Sequence, residues 1–287
     1  MRQRPFQQID VFSQRPGDGN PLAVVMQAED LQDAEMQRFA SWTNLSETTF
    51  LLPPTEAGRQ GGADYRVRIF TPGGELPFAG HPTLGTCHAW LQAGHLPRDP
   101  DTIVQESGMG LVRIRRQGDT LAFAAPTLQR SVPNPALLAL VTGALGLRPQ
   151  QILAAQLLDN GPRWLGLLLP SADTVQGLQP DHARLKDLGQ DVGVVHVAPS
   201  ASDTRTPGVV VRAFAAPMGN PEDPVTGSLN ASLAQWLIAE GLAPCQYLVA
   251  QGECLGRAGR VHIRQDDDGQ VWVGGQAVTC IQGTALL

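Results

Sequence analysis

Glu47 is the side chain in this sequence whose setting best suits proton transfer. It follows Asn44, Leu45 and Ser46 and opens a β-favouring run that ends at Leu52. Apolar neighbours would remove part of its solvent, and burial raises the pKa of a carboxyl group toward neutrality, where one group both takes and gives a proton. The alternative from the residues alone is a solvated surface acid between a helix and a strand.

Two further polar residues, His81 and Asp223, each precede a proline in matching segments of the chain. Residues 67–94 and 211–241 both contain a Val-Arg-x-Phe strand, a loop and a helix that ends in Trp-Leu before a glycine. Such a recurring order indicates an internal duplication. Chance similarity between two amphipathic segments is the alternative. The duplication makes His81 and Asp223 equivalent, and therefore candidates for contacts with polar groups of a ligand.

Both repeated helices are predicted to begin near a proline, Pro82 or Pro224. The first backbone N–H groups of a helix have no partner within it and attract anions. If the two halves face each other, the two helix starts form a receptacle for a carboxylate, with the Ser228 hydroxyl beside the second. The structural alternative is that each start is capped by its own loop.

Strands and helices must hold these residues in place. Asp30 is predicted to cap a helix that begins at Leu31 and fades between Trp42 and Asn44. A proline-rich connector follows residue 124 and divides the chain into an N-terminal lobe, 1–126, and a C-terminal lobe, 127–276. A final strand at about 277–287 is expected to return to the first lobe.

Composition excludes several classes of function. The 287 residues are 42% hydrophobic, which is enough to fill real cores. The net charge of −6 comes without a basic block, which argues against nucleic-acid binding. No apolar stretch is long enough to span a bilayer and no signal-peptide pattern is visible, so we expect no membrane association and a cytoplasmic location.

The cysteines and histidines do not predict a metal site. Cys87, Cys245, Cys254 and Cys280 form no CxxC pair. His81, His88 and His95 recur every seven residues, but Pro82 is expected to open the helix and Gly94 to close it, which leaves only His88 inside.

A set of short motifs runs in one order across nearly the whole chain. They are Asp10-Val11-Phe12, Gly19-Asn20-Pro21-Leu22-Ala23-Val24, Asn44-Leu45-Ser46-Glu47-Thr48, Arg68-Ile69-Phe70-Thr71-Pro72, Glu75-Leu76, Gly80-His81-Pro82-Thr83-Leu84-Gly85, Glu222-Asp223-Pro224-Val225-Thr226-Gly227-Ser228, the Gly-Arg loop at 251–259 and Val273-Gly274-Gly275. Together they resemble the PhzF-like phenazine-biosynthesis family.

This resemblance implies an α+β fold of the diaminopimelate-epimerase type. Such a fold has two pseudo-symmetric lobes, each a mixed β-sheet rolled around a central helix, with the active site between them. Racemases of that superfamily use two opposed thiols, but the corresponding places here hold Ala79 and the Asp223-Pro224 pair. The resemblance therefore argues against a two-thiol racemase.

The resemblance also implies a role for each site residue. Glu47 would be the catalytic acid/base, and the substrate would be bound by five residues: Ser46, Gly80, His81, Asp223 and Ser228. No metal or cofactor is implied, and a homodimer is expected. The predicted function is a cofactor-independent isomerase that moves a proton between carbons of a small carboxylate metabolite. A non-catalytic or lyase-like metabolite-binding protein of the same fold is the alternative.

Overall fold

The computed structural model describes all of residues 1–287, which form two compact units. The first comprises residues 1–124 and 274–287, and the second residues 125–273. The lobes were predicted as 1–126 and 127–276, with the first boundary at the proline-rich connector and the second before the final strand. None of the helices combines the length and apolar character needed to cross a bilayer.

Eighteen strands and seven α-helices make up the chain. The strands are β1 (Gln3–Val11), β2 (Asn20–Val25), β3 (Glu47–Leu52), β4 (Tyr65–Thr71), β5 (Gly74–Leu76), β6 (Thr102–Ser107), β7 (Gly110–Gln117), β8 (Thr120–Ala124), β9 (Gln129–Ser131), β10 (Ala154–Asp159), β11 (Arg163–Leu168), β12 (Asp191–Val197), β13 (Val209–Ala215), β14 (Asn220–Asp223), β15 (Gln246–Gln251), β16 (Gly259–Gln265), β17 (Val271–Gly275) and β18 (Ala277–Leu286). The helices are α1 (Asp33–Thr43), α2 (Glu56–Gln60), α3 (Gly80–Gln92), α4 (Pro135–Ala144), α5 (Ala172–Gln176), α6 (His182–Leu188) and α7 (Gly227–Ala239).

The first unit is built on a mixed sheet. Strand β1 pairs antiparallel with both β18 and β2, β2 pairs parallel with β3, and β3 pairs antiparallel with β4. Strand β4 then pairs antiparallel with β5 and, through other residues, parallel with β6. The antiparallel strands β7 and β8 follow β6. The C-terminal strand β18 thus belongs to the sheet of the first unit.

The second unit repeats this order of pairings. Strand β10 pairs antiparallel with both β9 and β11, β11 pairs parallel with β12, and β12 pairs antiparallel with β13. Strand β13 pairs antiparallel with β14 and parallel with β15, which continues antiparallel into β16. The duplication predicted from the sequence is therefore present in the topology, and the α+β fold class is confirmed.

Each unit wraps its sheet around one long helix, α3 in the first and α7 in the second, and most residues of both helices are buried. Glycines allow the close approach. A Cβ at Gly85 of α3 would lie 2.5 Å from a Leu22 methyl of β2. Under α7, Gly166, Gly193 and Ala213 lie side by side on three adjacent strands. Glycine thus lets the Leu22 side chain of β2 pack against the backbone of α3, and it lets side chains of α7 such as Leu229 pack against the backbone of the sheet.

Several predicted helix starts were wrong. Helix α1 begins at Asp33 behind the cap Gln32, because Asp30 forms an ion pair with Arg4 at 2.7 Å. Pro82 is the third residue of α3, and His81 lies inside that helix as well as His88. Pro224 lies before α7, whose cap is Thr226. The predicted end of α1 was correct, since Asn44 has the left-handed backbone (φ 54°) of a helix terminus.

Gly193, on the strand β12 that packs under α7, offers a test of this packing. A Cβ at Gly193 would overlap one terminal methyl of Leu229 and lie 2.7 Å from the other. We expect Gly193→Ala to lower the free energy of unfolding by about 1–3 kcal/mol, because α7 must shift or Leu229 must leave its rotamer. Urea denaturation monitored by tryptophan fluorescence measures the change.

Gly74→Ala is the matched control, because it adds the same methyl to a strand glycine with nothing within 4 Å. It should change stability by less than about 0.5 kcal/mol. The double variant Gly193→Ala with Leu229→Val should recover part of the loss by making room for the new methyl. Equal stability of the two single variants would contradict this account of the packing.

Candidate active site

Glu47 is the first residue of β3, and the local sequence explains its position. The left-handed Asn44 ends α1, two loop residues follow, and the chain then enters β3 beside β2. In this parallel pair Glu47 lies opposite Leu22. Its side chain is only 15% exposed. A carboxyl group thus lies largely out of solvent at the end of the β2–β3 pair.

His81, the second residue of α3, contacts this carboxyl group. Its Nε2 lies 3.4 Å from Glu47 Oε2, and the side chain is 5% exposed. The ring also donates a hydrogen bond to the backbone carbonyl of Pro21, the residue before Leu22. Since Nε2 makes no hydrogen bond, the donor to Pro21 is Nδ1–H. The ring is therefore held in one orientation with Nε2 toward Glu47.

The charge state of His81 follows from its burial. Desolvation lowers the pKa of this imidazole to about 3, although the hydrogen bond to Pro21 acts in the opposite direction. The ring is therefore neutral near pH 7. With its proton on Nδ1, Nε2 is a hydrogen-bond acceptor. The contact with Glu47 is thus not an ion pair. It is a contact between an acceptor nitrogen, His81 Nε2, and a carboxyl oxygen, Glu47 Oε2.

The helix that carries His81 has an N-terminus without a side-chain cap. Its cap residue is Ala79, which has no polar side chain. The backbone N–H of Thr83 bonds to Ala79, and Pro82 has no N–H group, so the amides at the start of α3 belong to Gly80 and His81. A buried glutamine fixes this turn, because Gln105 Nε2 donates to the Thr83 hydroxyl at 3.0 Å.

Among the seven α-helices, only the two central ones lack a capping side chain. Helix α7 begins behind Thr226, whose hydroxyl does not bond to its own helix. The other five starts are closed by side chains: Gln32 with Glu35 at α1, Thr55 at α2, Asn134 at α4, Ser171 at α5 and Asp181 at α6. Neither α3 nor α7 therefore has a side-chain cap, and their positive ends lack the side-chain partners that the other five helix starts have.

In the second unit the structure places Asp223 and Ser228 at the start of α7. Asp223 is the last residue of β14, where a loop was expected, and it accepts a hydrogen bond from the Thr226 hydroxyl at 2.5 Å. Ser228 is the second residue of α7 and accepts a hydrogen bond from Trp164 Nε1 at 3.3 Å.

Three predicted residues of the first unit lie together around β3 and the start of α3, namely Glu47, Gly80 and His81. Ser46 precedes Glu47, and its hydroxyl donates to Asn20 Oδ1 at 3.3 Å. The contact of Pro21 with His81 was not predicted, because it is made by a backbone carbonyl. No sequence signal marks which backbone carbonyl accepts a hydrogen bond from a histidine.

Comparisons with known proteins identify the family of the chain. Residues 9–283 match the model of the phenazine biosynthesis-like protein family. The chain is 35% identical to the trans-2,3-dihydro-3-hydroxyanthranilate isomerase of Pseudomonas aeruginosa, over 97% of this chain and 98% of that protein. It is 34% identical to antisense-enhancing sequence 1 of Schizosaccharomyces pombe, over 100% of both chains.

Solved structures give the same result. A PhzF family protein from Enterococcus faecalis superposes with a TM-score of 0.80 at 26% identity, over 100% of both chains. The fold alone is shared with a hydroxyproline epimerase from Agrobacterium vitis, at a TM-score of 0.64 and 13% identity over 99% of this chain and 91% of that one. Other relatives at 31% and 33% identity are also named isomerases. The chain belongs to the phenazine biosynthesis-like family and is an isomerase of the PhzF type.

Proposed function

We propose that this isomerase works without a cofactor and that Glu47 takes a proton from one carbon of a small carboxylate substrate and returns it to another. The contact between Glu47 Oε2 and His81 Nε2, buried in the first unit, carries this proposal. A carboxyl group held out of solvent beside a neutral imidazole is suited to exist in both protonation states during one turnover.

The orientation of His81 explains how Glu47 holds a proton. Because Nδ1–H is committed to the Pro21 carbonyl, the lone pair of Nε2 faces Glu47 Oε2. Two lone pairs in this position repel, whereas a protonated Glu47 donates to Nε2. When Glu47 has given its proton to the substrate, the carboxylate is ready to remove another. His81 thus stabilises the protonated form of Glu47, and the deprotonated form removes the proton from the substrate carbon.

The rest of the substrate would be bound by the predicted polar groups. The uncapped start of α3, with the N–H groups of Gly80 and His81, suits a carboxylate. We propose that Asp223 and Ser228, both at the start of α7, and Ser46 contribute hydrogen bonds to the same substrate. Each of these side chains already has a hydrogen bond that fixes its orientation.

The compound named for the Pseudomonas relative, trans-2,3-dihydro-3-hydroxyanthranilate, is the first substrate to try, because it is a small carboxylate and the name describes its isomerisation. The similarly distant Schizosaccharomyces relative carries an unrelated name. Sequence identity therefore does not decide between pathways, and we propose the substrate class rather than a pathway.

The role of Glu47 is tested by Glu47→Gln. The amide keeps the shape of the side chain but cannot exchange protons, so kcat should fall by about 10²–10⁴-fold or more while the melting temperature stays nearly constant. Turnover of trans-2,3-dihydro-3-hydroxyanthranilate in D₂O, followed by proton NMR, reports both the rate and the entry of solvent deuterium at the receiving carbon.

Glu56→Gln is the matched control, since Glu56 is exposed and lies in the short helix α2. It should retain wild-type kcat. If Glu47→Gln keeps activity within tenfold of the wild type, Glu47 is not the proton carrier. If the wild type leaves this compound unchanged, the same deuterium test on other small unsaturated carboxylates decides whether Glu47 is needed for exchange.

The neutral state of His81 predicts a pH dependence of stability. The folded pKa of about 3 lies below the usual value of 6.5, so between these values the unfolded chain binds more protons at this residue. The corresponding stability is fully present above pH 6.5 and is lost as pH falls toward 3. Between pH 7 and pH 4 the wild type should lose about 2–4 kcal/mol more than His81→Asn.

Urea denaturation at both pH values measures this difference. His95→Asn is the control, because His95 is exposed and stacks on Trp90, and it should follow the wild type. A parallel loss of stability in His81→Asn and the wild type would show that His81 is not buried as a neutral ring.

A further inference from the structure

A chain of buried polar side chains in the second unit ends at Asp223. It begins at Gln251, the last residue of β15, which is 1% exposed. Gln251 contacts Thr226 at the start of α7 and Asn230 one turn further on, and both are buried. Four hydrogen bonds hold the Gln251 amide, which is its full donor and acceptor capacity.

The partners of Gln251 fix which way its amide points. Its Oε1 accepts from the backbone N–H of Thr226 at 3.1 Å and from Asn230 Nδ2 at 2.8 Å. Its Nε2 donates to the backbone carbonyl of Asp223 at 3.1 Å and to the Thr226 hydroxyl at 3.0 Å. A flipped amide would set donor against donor and acceptor against acceptor, so only this orientation satisfies all four groups.

The orientation of Gln251 decides where the Thr226 proton goes. Since the Thr226 oxygen accepts from Gln251, its own hydrogen is available for Asp223 Oδ2, 2.5 Å away. Asn220 Nδ2 donates to the other carboxylate oxygen at 3.3 Å. All these bonds run toward Asp223, which is therefore held as an acceptor in one side-chain conformation.

The position of Thr226 distinguishes this arrangement from ordinary helix capping. A threonine at this position usually accepts a hydrogen bond from the first turn of its own helix, which stabilises the helix. Here Thr226 makes no such bond and turns its hydroxyl back to Asp223. The chain thus forgoes local helix stability to orient one carboxylate.

We propose that Gln251 and Thr226 are positioning residues that hold Asp223 for a hydrogen-bond donor on the substrate, an inference that rests on the proposed role of Asp223 in substrate binding. The substrate group that meets Asp223 must therefore carry a hydrogen, as a hydroxyl or an ammonium group does. Neither Gln251 nor Thr226 needs to touch the substrate.

Thr226→Val tests the hydroxyl, because valine keeps the shape and removes the hydrogen bond to Asp223. Loss of orientation should lower kcat/KM for trans-2,3-dihydro-3-hydroxyanthranilate by about 10–100-fold. Thr226→Ser, which restores the hydroxyl, should recover most of this loss. Thr142→Val is the matched control, since it removes a buried hydroxyl whose bond to Leu138 stays within α4, and it should retain activity.

Gln251→Glu gives a readout that a purely structural role would not produce. The introduced carboxylate accepts a hydrogen bond from the Thr226 hydroxyl and so draws it away from Asp223, whereas its protonated form has one hydrogen and can donate it to the Thr226 oxygen, as one of the two amide hydrogens does. The kcat/KM of Gln251→Glu should therefore recover toward the wild-type value as pH is lowered through the titration of the new group, with no such recovery in Thr142→Val.

Crystal structures of Thr226→Val and Thr142→Val make the test independent of the assay compound. Asp223 should leave its present conformation in Thr226→Val and keep it in Thr142→Val. An unmoved Asp223, or wild-type kcat/KM in Thr226→Val, would overturn the proposal. Asp223→Asn separates the two levels of the argument. If it is fully active, the proposed role of Asp223 fails, whereas an impaired Asp223→Asn beside an active Thr226→Val rejects only the positioning.

Discussion

The parallel register between β2 and β3 is the constraint on which the arrangement in the first unit depends. It sets Glu47 opposite Leu22, the residue after Pro21. The backbone carbonyl of Pro21 accepts the hydrogen bond that His81 donates. A shift of one residue would turn Glu47 to the other face of the sheet. Helix α3 is tied to the same strands, because Gly85 packs directly against Leu22. One strand pairing thus fixes the acid, its imidazole neighbour and the helix that carries the imidazole.

The two units share one arrangement of a glutamine and a threonine at the start of the central helix, but the threonine has a different hydrogen-bond acceptor in each. In each unit a buried glutamine from the strand after the central helix donates to a threonine hydroxyl in or beside the first turn of that helix, Gln105 to Thr83 and Gln251 to Thr226. The Thr83 hydroxyl donates a hydrogen bond to the Ala79 carbonyl, within the helix start, whereas the Thr226 hydroxyl donates to the carboxylate of Asp223. Both units therefore share the hydrogen bond from glutamine to threonine, and they differ in the group to which the threonine hydroxyl donates.

Much of the fold could be predicted from the sequence, because it depends on local signals. The strands around Val67 and Val211, the end of α1 at Asn44 and the duplication are set by hydrophobic pattern and turn residues. Helix starts were less predictable. Asp30 is a residue type that often caps helices, but it forms an ion pair with Arg4 of β1. No local sequence pattern indicates that contact. Similarly, the proximity of Glu47 to His81 depends on strand register and on a backbone carbonyl.

The places where local rules fail are the places where the function is proposed. Both central helices start without the side-chain cap that the other five possess, a histidine is buried in neutral form, and a threonine turns away from the helix that it should cap. Each departure costs stability, and the surrounding packing must maintain it. Because Ala79 cannot cap and Thr226 is occupied with Asp223, the first turns of α3 and α7 keep backbone N–H groups for another partner. In the first unit the uncapped helix start carries His81, and in the second it carries Ser228 with Asp223 close by, so within each unit the missing cap coincides with the polar side chains to which substrate binding is proposed.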